Sequence, residues 1–138
     1  MIKSPKKIKE NVNKKSYLFV RKGKKFNNKV VIYKNIKFDS ILEMNCYKVI
    51  HKQCVLKDLK LELQVPFELI PKCKYIADFV VTCPMSGKRL ILDAKGVKTD
   101  VFKLKSKIMK NNNNPVVCIK KSLDSVKIIH NFFKWKTL

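Results

Sequence analysis

Two apolar runs, KYIADFVVTC (Lys74–Cys83) and RLILDAK (Arg89–Lys95), are separated by PMSGK, which has the Pro, Ser and Gly of a tight connection. Length and β-branched content make both runs strands, and the connection makes them an antiparallel hairpin. Each run carries one acid, Asp78 and Asp93. A hairpin centred on Gly87 brings those acids to the same end of the ladder, and the two-residue period of a strand puts Asp93 and Lys95 on one face.

The rest of the chain is arranged around this hairpin. The segment YLFV (Tyr17–Val20) reads as a short strand, and KVVIYKNIKFDS as a hairpin turning at Lys34 and Asn35. From Phe38 the spacing of Ile41, Leu42, Cys46, Val49 and Ile50 changes to 3.6, predicting a helix to about Val55 with Glu43 on the flank of its apolar stripe. Residues Leu61–Pro71 have strand composition, with Pro66 marking an edge or bulge. Thr99 caps a further helix in which Val101, Leu104 and Ile108 form the packing stripe and Lys103, Lys107 and Lys110 a basic rail. Asn111–Pro115 ends it, PVVCIK is another strand, and the chain closes with a helix whose Ile129, Phe132, Phe133 and Trp135 are core. This order predicts a single α/β domain with a mixed β-sheet flanked by helices, over residues 16–138, preceded by a flexible basic arm at 1–15.

With 32 basic and 10 acidic residues the formal charge is +22, which would repel itself unless the partner is a polyanion. The 46% hydrophobic content places that charge on a folded object. Arg21 and Arg89 are the only arginines, so recognition by backbone charge and shape is expected over base readout. Lysine-rich composition can also reflect an AT-rich genome, and lysine does not distinguish DNA from RNA. Five cysteines without a CxxC pair, and only His51 and His130, argue against structural zinc and for a reducing intracellular compartment. With no apolar signal core and no long apolar run, neither secretion nor a membrane partner is expected.

Against that background Asp78, Asp93 and Lys95 have a definite chemical use. Hard oxygen ligands hold Mg²⁺, with Mn²⁺ as a substitute, while leaving waters on it, and a lysine beside the ion stabilises charge on a phosphoryl group. The Ala94 carbonyl is a further candidate metal ligand. The competing reading is a buried salt bridge among the three side chains, a poor source of stability for its desolvation cost.

The pattern ADFVV…LILDAKG resembles the PD-(D/E)xK nuclease superfamily, with Asp78, Asp93 and Lys95 on its acid, acid and lysine positions and Ala77 where the motif's name has proline. KFDSILE, LKDLKLELQVPFELIP and LDAKGVKTDVFKLKSK extend the likeness to a small phage- and virus-type endonuclease subfamily over about residues 29–109. The resemblance implies a restriction-endonuclease-like core, with Glu43 as an accessory metal-binding residue and Gln64 facing the same site. Lys105 would reach inward or join Lys98, Lys103, Lys107, Lys110, Lys120 and Lys121 in binding nucleic acid. It implies a homodimeric Mg²⁺-dependent endonuclease on DNA, selective for branched substrates as a Holliday-junction resolvase is, and of viral or phage origin. The alternatives are a less selective nuclease on linear or single-stranded DNA, and a non-catalytic nucleic-acid-binding protein on a decayed nuclease fold.

Overall fold

The computed structural model describes residues 18–22 and 29–134, and the basic arm expected at 1–15 lies outside them, as does Trp135. The chain forms β1 (Leu18–Lys22), β2 (Lys29–Tyr33), β3 (Ile36–Phe38), α1 (Ile41–Leu56), β4 (Lys60–Ile70), β5 (Cys73–Thr82), β6 (Arg89–Ala94), α2 (Asp100–Asn111), β7 (Val116–Ile119) and α3 (Asp124–Phe133). It is the expected α/β domain. One antiparallel sheet has the order β1-β2-β3, and a mixed sheet has the order β4-β5-β6-β7. Among the described residues only the β6–β7 pair is parallel, and α2 supplies the crossover that a parallel pair needs.

Local signals account for most boundaries. Lys34 and Asn35 both take positive φ, 47° and 63°, as a two-residue hairpin turn between right-twisted strands requires. The Ser40 side chain accepts from the Glu43 N–H at 3.0 Å and starts α1 three residues later than the apolar spacing indicates, since Phe38 completes β3. Thr99 caps α2 as expected, accepting from the Phe102 N–H at 3.1 Å. Gly87, with φ of 71°, carries the β5–β6 turn.

The mixed sheet is covered on both faces. Cys46, Ile50 and Cys54 of α1 and Ile129 of α3 pack with Phe79, Val81, Leu90, Leu92 and Ile119 on one side. Phe102 and Met109 of α2 pack with Tyr75, Ala77, Val80 and Ile91 on the other.

The packing stripe of α2 differs from the one the spacing suggests. Val101 and Leu104 are 60% and 61% exposed, while Phe102 and Met109 are buried. Phe102 and Met109 lie seven residues apart, nearly two full turns, and so share a line on the helix. Rolling that line onto the sheet buries the two largest apolar side chains and leaves Lys103, Lys107 and Lys110 in solvent. Phe132 is likewise at the surface, 36% exposed, with Ile129 the buried apolar residue of α3.

A second difference locates the site. In β4, Leu61 and Leu63 face the α1/α3 side, yet Val65, Phe67 and Leu69 face the α2 side. In β5, Tyr75 and Ala77 face α2, while Phe79 and Val81 face α1. A regular strand keeps alternate residues on one face. Both strands therefore change faces together, β4 at Gln64 and β5 at Asp78. Leu63 pairs with Phe79 and Val65 with Ala77, but Gln64 and Asp78 between them form no ladder pair, and Gln64 has φ of 50°. Of the edge or bulge expected at Pro66 the edge is what forms, and the irregularities fall at Gln64 and between Glu68 and Ile70. Pro66 itself sits in register opposite Ile76 on the edge strand, where a missing N–H is tolerated.

Candidate functional site

The break in the β4–β5 ladder turns Gln64 and Asp78 toward α1 and the end of β6. Gln64 Nε2 donates to Glu43 Oε1 at 3.0 Å and to Asp78 Oδ1 at 3.3 Å. Three elements are joined through one amide. Glu43, expected on the flank of the α1 stripe, is buried with 6% of its surface exposed.

The β5–β6 ladder ends at Phe79–Leu92, one step short of Asp78 and Asp93. Beyond it the Ala94 N–H donates to Asp78 Oδ2 at 3.0 Å, so a side chain takes over where the backbone pairing stops. Asp93 is 1% exposed in the middle of the sheet, paired in register with Cys118 of β7. The buried Tyr75 hydroxyl donates to Asp93 Oδ2. Asp93 Oδ1 is buried without a hydrogen-bond partner and stands 3.7 Å from Lys95 Nζ. The Lys95 ammonium lies 5.2 Å from the centre of the Phe102 ring, and that ring packs against Tyr75 at a centroid distance of 6.2 Å.

Electrostatics follow from this crowding. Burial, then the Asp78 and Asp39 charges, push the Glu43 carboxyl up to about 8. Burial and the adjoining Asp93 carboxylate push Asp78 up to about 8, against the opposing pull of the Ala94 N–H and Lys95. Burial raises the Tyr75 phenol, with Asp93 adding to it, so the hydroxyl keeps its proton. Three acids crowd one cation, and below about pH 8 Glu43 and Asp78 keep their protons. Among the described residues, no three His, Cys, Asp or Glu side chains close round a point as a ready metal centre. The Gln64 amide instead stands between two of the acids.

Of the residues singled out from the sequence, Glu43, Gln64, Asp78, Asp93 and Lys95 come together, and Ala94 joins them through its N–H. The lysines divide differently. Lys98, Lys103, Lys107, Lys110, Lys120 and Lys121 are exposed. Lys103, Lys107 and Lys110 line a cleft of 360 Å³ with Ser106, Pro115 and Val116. Lys105 is half-buried on the flank of α2 and donates to the Lys74 carbonyl at 2.9 Å, so it braces the helix against β5. His51 and His130 are exposed, away from the acids. All five cysteines are free. Among the described residues no helix is long and apolar enough to cross a membrane.

Tyr75 is the member of the site that sequence reasoning missed. A tyrosine in a strand with buried alternate positions needs a partner for its hydroxyl, and the partner is Asp93 of the neighbouring strand, 18 residues along the chain. No local signal marks that pairing, because it depends on how β5 and β6 align beyond the end of their ladder.

The family model described as a protein of unknown function, DUF1064, matches residues 23–128, and the chain belongs to that family. No curated protein and no solved structure matches it.

Proposed function

We propose that this chain is a Mg²⁺-dependent DNA endonuclease of the PD-(D/E)xK type, and that it acts on branched DNA. The observation that carries the reading is the meeting of Asp78, Asp93 and Lys95 at one end of the β5–β6 ladder, with Asp93 Oδ1 buried, lacking a hydrogen-bond donor and 3.7 Å from Lys95 Nζ. A buried carboxylate oxygen without a hydrogen-bond donor is costly, and a cation bound against it offsets that cost. The raised carboxyls of Glu43 and Asp78 point the same way, since a cation beside them would take the place of their protons. The donor set is hard oxygen throughout, which suits Mg²⁺ or Mn²⁺ and not zinc.

Asp78 and Asp93 would hold the ion, with Glu43 accessory, and the ion would supply Lewis acidity and charge neutralisation at a scissile phosphate. The chain's own groups supply the rest. Gln64 holds the Glu43 and Asp78 carboxylates at a fixed separation, and the Ala94 N–H orients the second oxygen of Asp78. Lys95, half-exposed and anchored over Phe102, presents its ammonium to a phosphoryl oxygen as charge develops there. The lysine cleft of α2 and β7 tracks the flanking backbone, and with so little arginine it reads charge and shape instead of bases. A homodimer would cut the two symmetric strands of a junction.

The test is incubation of the wild type and Asp93→Asn with a labelled four-way junction and a matched linear duplex, in Mg²⁺ or EDTA. Metal-dependent symmetric nicking of the junction by the wild type alone is the expected result. Equal cutting of both DNAs would remove the branched substrate and leave the nuclease. Binding of both DNAs with cleavage of neither would identify a binding protein.

A further inference from the structure

Asp93 has two oxygens in different situations. One accepts from the Tyr75 hydroxyl, and the other has no hydrogen-bond partner although it is buried. A carboxylate joined to its backbone through Cβ can still rotate, and Lys95 Nζ at 3.7 Å is close enough to capture whichever oxygen turns toward it. The hydroxyl of Tyr75 prevents that rotation, because it has one proton and gives it to one oxygen. The ring that carries the hydroxyl is itself held, 4% exposed and packed on Phe102, whose own ring lies under the Lys95 ammonium. Tyr75, Phe102, Lys95 and Asp93 thus form a closed circuit of contacts.

We propose that Tyr75 is a positioning residue of this site: its hydroxyl locks the Asp93 carboxylate so that Oδ1 faces a divalent cation shared with Asp78. The inference rests on the nuclease reading above, since it takes the cation from there, but it assigns a role to a residue outside the acid, acid and lysine pattern. A hydrogen-bond donor behind a metal-binding carboxylate fixes the ligand's orientation, and loss of such a partner typically costs about 10–100-fold in metal affinity or activity. Tyr75 acts through Asp93 alone, so its effect disappears when Asp93 is no longer a ligand.

The experiment measures Mn²⁺ affinity by electron paramagnetic resonance of the free ion, with no DNA present. The chains are the wild type, Tyr75→Phe, Asp93→Asn and the double variant. Tyr75→Phe is expected to weaken Mn²⁺ by roughly 10–100-fold in the wild-type background and to have no effect in the Asp93→Asn background. Melting in EDTA checks that each variant is folded, and a purely structural tyrosine would lower that melting temperature while leaving the affinity ratio at one. A second readout keeps the idea exposed if Tyr75→Phe does not fold. In the intact chain labelled with 3-fluorotyrosine, the Tyr75 resonance should shift on addition of Mg²⁺ and stay fixed in Asp93→Asn. Equal Mn²⁺ affinity in the wild type and Tyr75→Phe, or an unshifted Tyr75 resonance, would overturn the assignment while sparing the metal site. Wild-type affinity no better than that of Asp93→Asn would overturn both.

Discussion

Glu43 is one of two acids whose charged form this fold penalises, and replacing it with glutamine gives a measurable prediction. Its carboxyl ordinarily titrates at 4.5, and burial with the nearby Asp78 charge raises it to about 8 in the folded chain. The folded-state value lies above the unfolded one. Below pH 4.5 both states hold the proton, and stability is then independent of pH at this group. Between pH 4.5 and 8 the folded chain alone holds it, so stability falls as pH rises, and above 8 the loss is complete. A single extra bound proton gives a slope of roughly 1.4 kcal/mol per pH unit, and the whole window is worth on the order of 5 kcal/mol. That is comparable with the total stability of a small domain, about 5–15 kcal/mol.

Glu43→Gln keeps an oxygen for the Gln64 amide to donate to and removes the titration. Urea unfolding followed by circular dichroism in EDTA, at intervals from pH 5 to 8, should show the wild type losing stability more steeply than Glu43→Gln. The difference in slope should be about one proton, and the variant should be the more stable chain at pH 8. Excess Mg²⁺ should flatten the wild-type dependence, because an ion beside the carboxylates takes over the role of the proton. Parallel slopes for the two chains in EDTA would refute the reasoning, since they would mean that Glu43 is already ionised in the fold or titrates as it does when unfolded.

Other consequences are simpler to state. Removing all three rail lysines with Lys103→Ala, Lys107→Ala and Lys110→Ala should reduce the slope of log affinity for duplex DNA against log salt by about 3, measured by fluorescence anisotropy, with helix content unchanged. Thr99→Ala, which takes away the oxygen that accepts from the Phe102 N–H, should cost about 1 kcal/mol in urea unfolding. Phe79 is completely buried between β4, β6 and α1, and Phe79→Ala should cost about 3–5 kcal/mol by the same measurement.

How far the sequence could be read depended on whether a feature was local. The Lys34–Asn35 turn, the Thr99 cap and the Gly87 connection are each specified within a few residues, and the structure has them where the residues indicate. The meeting of Asp93 and Lys95 is also local, two positions along one strand. Orientation of α2 was not. Its apolar residues cover an arc of roughly 160°, nearly half of the helix circumference, so Val101, Leu104 and Ile108 satisfy the 3.6 period as well as Phe102 and Met109 do. Only the volume of Phe102 and the solvation of the lysines decide between the two faces. That decision needs the sheet to be present.

The face change at Gln64 and Asp78 was the least legible feature, and it is what makes the site. In regular strands, the run of partly buried side chains at Leu61, Leu63, Val65, Phe67 and Leu69 would pack against a single layer of helices. Because β4 and β5 invert together, one strand pair serves α1 and α3 with its first half and α2 with its second. The inversion leaves one residue on each strand without a ladder partner, and both are polar: Gln64, which tolerates the left-handed backbone, and Asp78, whose side chain captures the free Ala94 N–H. A hydrophobic pair there would leave that N–H unsatisfied at the cost of a lost hydrogen bond. The same two side chains reach Glu43 and stand beside Asp93. Thus the residues required to let the sheet change faces are also those that gather the carboxylates, and Asp78→Ala should damage folding in EDTA as well as any metal-dependent activity.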